Sequence, residues 1–148
     1  MTIQLAPRQD KARIEQGLDF APKFDDAGLI PVVATDANTG RVLMFAFMND
    51  QALAKTIETG QAHYYSRSRG KLWKKGEQSG HVQKVVQLLT DCDQDALWMR
   101  VDTGGAAACH VGYASCFYRE IPLGPDGGQP LHYVETEKQF DPDKVYGK

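Results

Sequence analysis

The chain has 148 residues, 42% hydrophobic and 24% charged, and its 17 basic and 19 acidic side chains leave a net charge of −2. This is the size and make-up of one soluble globular domain with enough apolar material for a core, and it excludes a global field that would recruit nucleic acid or an anionic membrane. No apolar run approaches the roughly 18 residues that cross a bilayer, and the first twenty residues lack the apolar segment of a secretory signal, so a single cytoplasmic domain over 1–148 is expected.

Residues 1 to about 20 read as a polar lead-in with a short helix in KARIEQGL. GLIPVVAT and RVLMFAFM flank the turn sequence DANTG, which predicts a hairpin with Pro31 near a strand start or on an edge. Asn49 is a good N-cap for DQALAKTIET and Gly60 a good stop; Leu53 and Ile57, four apart, predict one buried stripe. AHYYSRSR is a strand that runs into the loop RGKLWKKGEQSG. HVQKVVQLLTDC is a long strand and ALWMRVD its partner. DTGGAAACHVGYAS is a small-residue loop, CFYREIPL a strand, and the tail after Gly124 a Pro/Gly-rich, then polar, surface segment. The fold class is mainly β (α+β) with one clear helix, with 1–20 and 124–148 peripheral.

Two metal chemistries lie close together. Asp91, Asp93 and Asp95 alternate with Cys92, and on an extended strand the three carboxylates share one face. Carboxylates so placed repel unless a cation sits among them, and hard oxygen ligands suit Mg²⁺, Ca²⁺ or Mn²⁺. The EF-hand reading fails, because its sixth and twelfth positions hold Ala96 and Asp102 here. A solvated acidic turn is the plain alternative. All three cysteines, Cys92, Cys109 and Cys116, lie between Asp91 and Cys116. They lack the paired C-x₂₋₄-C spacing of common zinc sites, so buried free thiols remain open as a reading. Three thiolates are nonetheless the count of a catalytic zinc with one open position.

His110 beside Cys109 is a candidate general base, since an imidazole titrates near neutrality. The segment from Ser66 to His81 carries Arg67, Arg69, Lys71, Lys74 and Lys75 among serines and glycines, a mixture that suits phosphate. Trp73 among those cations points to a ligand with a flat ring as well.

GLIPVVATD, TGRVLMFAFMN, YYSRSRGKLWKKGEQSGH, DCDQDALWMRVD and CHVGYASCFYR, in this order from about Gly28 to Arg119, closely resemble the phosphoribosyl-AMP cyclohydrolase family of histidine biosynthesis. The resemblance implies a hydrolase, in its monofunctional form, that opens the adenine ring of phosphoribosyl-AMP at the N1–C6 bond. It implies zinc on Cys92, Cys109 and Cys116, one ion per subunit with ligands shared between subunits, and magnesium on Asp91, Asp93 and Asp95. It also implies an intertwined homodimer of antiparallel sheets, which would let separated cysteines meet. The ring alkylated at N1 is electrophilic at C6, and a zinc-activated water would attack there, as in base deaminases, although their H-x-E…P-C-x-x-C signature is absent. Three thiolates make zinc a weak Lewis acid, so His110 would assist as base. Lys75, Glu77 or His81 would protonate or place the departing N1. Ser66, Arg67, Ser68, Arg69, Trp73 and Ser79 would complete the substrate contacts. A zinc-stabilised binding module and a thiol-redox protein are the competing classes; the second lacks a C-x-x-C motif.

Overall fold

The computed structural model describes residues 3–77 and 79–146; Gln78, inside the predicted basic loop, lies outside them. The described residues form eight strands and three helices: α1 (Lys11–Gln16), β1 (Ile30–Asp36), β2 (Val42–Met48), α2 (Asp50–Thr59), β3 (His63–Ser66), β4 (Lys71–Lys74), β5 (Lys84–Thr90), β6 (Leu97–Asp102), β7 (Arg119–Glu120), β8 (His132–Tyr133) and α3 (Pro142–Tyr146). The fold is mainly β, as the sequence suggests. A four-stranded sheet runs β2–β1–β6–β5, and β3–β4 and β7–β8 are separate two-stranded ribbons.

The expected hairpins form. β1 and β2 pair antiparallel across a turn whose Asp36 carboxylate accepts from the amides of Asn38 (2.7 Å) and Thr39 (3.2 Å). β5 and β6 also pair antiparallel. The two hairpins then dock through β1 and β6, which run parallel from Val32 opposite Leu97 to Asp36 opposite Val101. This parallel pair departs from an all-antiparallel arrangement. It arises because the chain between β2 and β5, through α2 and β3–β4, crosses over before β5 begins. Pro31 precedes the first residue paired with β6, so its missing N–H costs no ladder bond there.

Alternation fixes the faces. Ile30, Val32, Ala34, Met44, Met48, Leu97, Met99 and Val101 form the core with Leu53 and Tyr64. The opposite face carries Val33, Phe45, Phe47, Leu89 and Trp98, with Phe45 53% and Trp98 43% exposed. Trp98 donates its indole N–H to Thr35 Oγ1 at 2.8 Å, which ties the side chain to β1.

α2 is capped as predicted. Asn49 Oδ1 accepts from the amide of Ala52 at 2.8 Å, and Gly60 closes the helix in the left-handed conformation. Its buried stripe differs from expectation: Ala52, Leu53 and Thr56 are inside, while Ile57 is 38% exposed. Thr56 earns the place because its hydroxyl donates to Ala52 O and accepts from the amide of His63, satisfying a polar group inside.

Three further boundaries differ. The basic loop contains β4, which pairs Lys71–Lys74 with β3 and sets Trp73 opposite Tyr64, so the cations mask a strand. The strand HVQKVVQLLTDC begins only at Lys84; Gln83 is buried in side-chain hydrogen bonds with Tyr64 (2.6 Å) and Met44 instead. In CFYREIPL only Arg119–Glu120 pairs, because Cys116 donates its amide to Leu43 O and the segment docks edgewise on β2.

Candidate active site

The loop after β6 is built from small residues and folds back on itself. Ala108 N–H donates to Ala114 O, Cys109 N–H to Tyr113 O and Gly112 N–H to Cys109 O, at 3.0–3.1 Å. Gly112 has φ +111°, and a Cβ there would stand 2.4 Å from Phe140 O, so only glycine closes this turn. Ser115 Oγ donates to Val42 O at 2.8 Å and fixes the exit against β2.

The turn sets Cys109 and Cys116 side by side. Their thiols share a hydrogen bond, which together with the Val111 amide and the positive charges of His110 and Lys75 lowers the Cys109 thiol to about 6 against the effect of burial. The same hydrogen bond, burial and the neighbouring negative charge push Cys116 up. The pair therefore gives up one proton readily and holds the second, as two like charges in contact must. Beside them Lys75, 7% exposed, donates from Nζ to Ala108 O at 2.6 Å. Burial lowers its pKa and the two thiols oppose that shift.

Lys75 and Cys116 open onto a cleft of about 940 Å³, with Cys109 behind them outside its lining. Met44, Phe45 and Ala46 of β2 form its floor; Ser68, Arg69, Trp73, Lys74, Lys75, Glu77 and Ser79 come from the β3–β4 hairpin and the loop after it; Ala108, His110 and Cys116 come from the cysteine loop. Gly76 lets the second wall fold tightly, since a Cβ there would meet Val82 N at 2.5 Å. Of the residues singled out in the sequence, the cleft gathers Ser68, Arg69, Trp73, Lys74, Lys75, Glu77, Ser79, His110 and Cys116. It does not gather Ser66, Arg67 or His81. Ser66 Oγ accepts from the amide of Arg69 and braces the turn. Arg67 lies over the Phe47 ring at 4.1 Å, on the outer sheet face. His81 packs edge-on to Phe140 at 4.8 Å. Pro142 and Asp143, which nothing in the sequence marked, also line the cleft.

The aspartates occupy a turn at the other end of β6. Their ligand oxygens lie within 4.8 Å of one another, and among the described residues they are the one such group of three. The cause is not strand alternation. Asp91 accepts from the amides of Asp95 (3.0 Å) and Ala96 (3.1 Å), so the chain curls around its carboxylate. Hydrogen bonds with Asp93 and Asp91 and their negative charge raise Asp95 to about 6. Burial raises Asp91, but the Asp95 carboxyl and the amides of Ala96 and Asp95 outweigh it and lower its pKa. Cys92, exposed in this turn, stands apart from the Cys109–Cys116 pair.

Gln94 holds that turn and was invisible in the sequence. It has φ +56° and is 5% exposed. Its Oε1 accepts from Ala21 N–H at 2.8 Å, and its Nε2 donates to Ile14 O (3.0 Å) and Asp19 O (3.2 Å). The N-terminal lead-in is thereby tied to the acidic turn.

The family model described as phosphoribosyl-AMP cyclohydrolase matches residues 44–118. The chain is 63% identical over 135 residues to the phosphoribosyl-AMP cyclohydrolase of Rhodopseudomonas palustris (strain TIE-1), covering 91% of this chain and 89% of the relative. It is 57% identical over 146 residues to that of Rhodopseudomonas palustris (strain BisB18), covering 99% of each. It is 58% identical over 135 residues to that of Bradyrhizobium diazoefficiens, covering 91% of this chain and 95% of the relative.

Proposed function

The chain belongs to the phosphoribosyl-AMP cyclohydrolase family, and from that premise we propose that it hydrolyses the N1–C6 bond of 1-(5-phosphoribosyl)-AMP, the third step of L-histidine biosynthesis, in the cytoplasm. The observation that carries the reading is the convergence in one cleft of Cys116, His110 and Lys75 with Trp73, Arg69 and the serines. A flat ring, a phosphate and a reacting carbon each find a complementary wall there.

The thiols fit zinc. Cys109 and Cys116 already share a contact, and the first proton leaves at about 6, so one thiolate forms near neutrality and a bound metal would displace the second proton. The third thiolate, Cys92, is remote within one chain, and a second copy would bring it. Zinc held by Cys92, Cys109 and Cys116 would supply the Lewis acidity that lowers the pKa of a water. The aspartates fit a hard cation: their ligand oxygens are clustered, and hydrogen bonds with Asp93 and Asp91, together with their negative charge, raise Asp95. Magnesium held there supplies charge neutralisation and an anchor for substrate oxygens.

The protein's own groups do the rest. His110, exposed at the cleft beside Cys109, is the base that takes the proton of the attacking water. Lys75 and Glu77, which line the cleft, would protonate or hold N1 as it leaves; His81, the third candidate, packs on Phe140 outside the cleft lining. Arg69 and Ser68 bind phosphate at the mouth, and Trp73 stacks on the purine.

Homodimerisation follows from the same reading. The uncovered apolar face around Phe45 and Trp98 needs a partner, and a second chain intertwined with the first would cover it. The enzyme is tested by adding phosphoribosyl-AMP and following the purine absorption with and without a chelator. Chelator-sensitive turnover is expected; turnover that a chelator leaves intact would refute the metal-dependent reading.

A further inference from the structure

We propose that residues 135–143 form a strap that positions the turn bearing Cys109 and His110 over the cleft, with Glu135 and Phe140 as its positioning residues. The strap lies beyond residue 118, where the family match ends. The inference rests on reading this cleft as the cyclohydrolase site.

The turn needs an external support. It packs through Ala108 in the core and through Tyr113, stacked on Tyr118 at 4.1 Å, but Gly112 between them has no side chain and sits in a left-handed conformation. The strap supplies three holds. Glu135 Oε1 accepts from the amide of Ala114 at 3.2 Å, while its Oε2 pairs with Arg41 at 2.8 Å, just ahead of β2. One carboxylate therefore ties the turn to the main sheet. The amide of Gln139 donates to Gly112 O at 2.7 Å. Phe140 O lies where a Cβ on Gly112 would be, so the strap's backbone rests flush against the glycine.

The strap also reaches the opposite wall. The Phe140 ring packs on His81, which follows the loop of Lys75, Glu77 and Ser79. Pro142 and Asp143 then enter the cleft. One segment thus spans the wall that carries His110 and the wall that carries Lys75. A base and an acid that act on one bond must keep their spacing, and a misplacement of about 1 Å can cost on the order of a hundredfold in rate.

The test uses the full-length chain carrying Phe140→Ala, Glu135→Ala or Glu135→Gln, with phosphoribosyl-AMP as substrate and amide exchange read in parallel. The two alanine variants should lose roughly tenfold to a hundredfold in kcat with KM nearly unchanged. Glu135→Gln keeps an oxygen for the Ala114 amide and should recover most of that loss. The amides of Cys109 and Gly112 should exchange faster by about tenfold or more in the alanine variants, with β6 amides unchanged. A rise in KM alone, unchanged exchange in the turn, or faster exchange throughout β6 would each overturn the strap. Should the wild-type chain fail to hydrolyse the substrate, the functional reading falls, and the exchange result still decides whether the strap grips the turn.

Discussion

Replacing Gln94 by alanine tests how the acidic turn is held. The side chain makes three hydrogen bonds to backbone groups of residues 14–21, with oxygen and nitrogen both engaged, in a site only 5% exposed. At about 1 kcal/mol for each bond, with the orphaned groups left partly buried, Gln94→Ala should lose about 3 kcal/mol. Gln94→Gly loses the same bonds but relieves the left-handed backbone at φ +56°, so it should recover about 1 kcal/mol relative to alanine. Urea unfolding of the metal-free protein at one fixed protein concentration measures this, as midpoint shifts at unchanged slope. The order wild type, glycine, alanine is expected. A loss below about 1 kcal/mol for Gln94→Ala would show that the N-terminal segment does not brace the turn.

Cys109→Ser should lose most bound zinc and most turnover, read by metal analysis per chain and by purine absorption; a full zinc complement with normal rate would sink the ligand assignment. Arg67 stacks on Phe47 outside the cleft while Arg69 lines it, so Arg69→Ala should raise KM by about tenfold, one lost charge-assisted bond, and Arg67→Ala should leave KM within about twofold. The reverse order would place the phosphate elsewhere. In metal-free protein, Asp95 rises from 3.8 to about 6 on folding, so the folded state holds the extra proton. That contribution is complete below 3.8 and is lost as pH rises through about 6; unfolding midpoints across this window should fall, and Asp95→Asn should flatten the fall. Trp98→Glu, on the uncovered face, should yield monomers in sedimentation with the core intact.

The sequence made some elements plain because local chemistry decided them. Asn49 and Gly60 set the ends of α2, and the alternation in GLIPVVAT set the buried face of β1. What stayed hidden was decided by contacts between distant residues. Ile57 looked like core because it stands four from Leu53, yet Thr56 takes the inward place by bonding across to His63. β4 read as loop because Lys71 and Lys74 carry charge, whereas its pairing depends on Tyr64 opposite Trp73. In the site, residue types singled out Trp73, Lys75, His110 and Cys116, and the fold gathers these four in one cleft. They could not mark Met44 to Ala46, which are ordinary strand residues, or Pro142 and Asp143, which reach the cleft only through the return of the tail.

β6 is where the two candidate ligand sets and the open sheet face meet. The acidic turn with Cys92 precedes it and the loop of Cys109 and Cys116 follows it. Its six residues, at a rise of about 3.3 Å each, set the acidic turn and the cysteine loop at opposite ends of a strand roughly 17 Å long. Its outward face carries Trp98 without cover. A third thiolate for the pair and a cover for Trp98 are therefore wanted around one strand, and under the proposed function a second copy of the chain would supply both at once. On this reading the metal and the dimer are one requirement: a chain that could not pair would have two sulfurs for an ion that needs three.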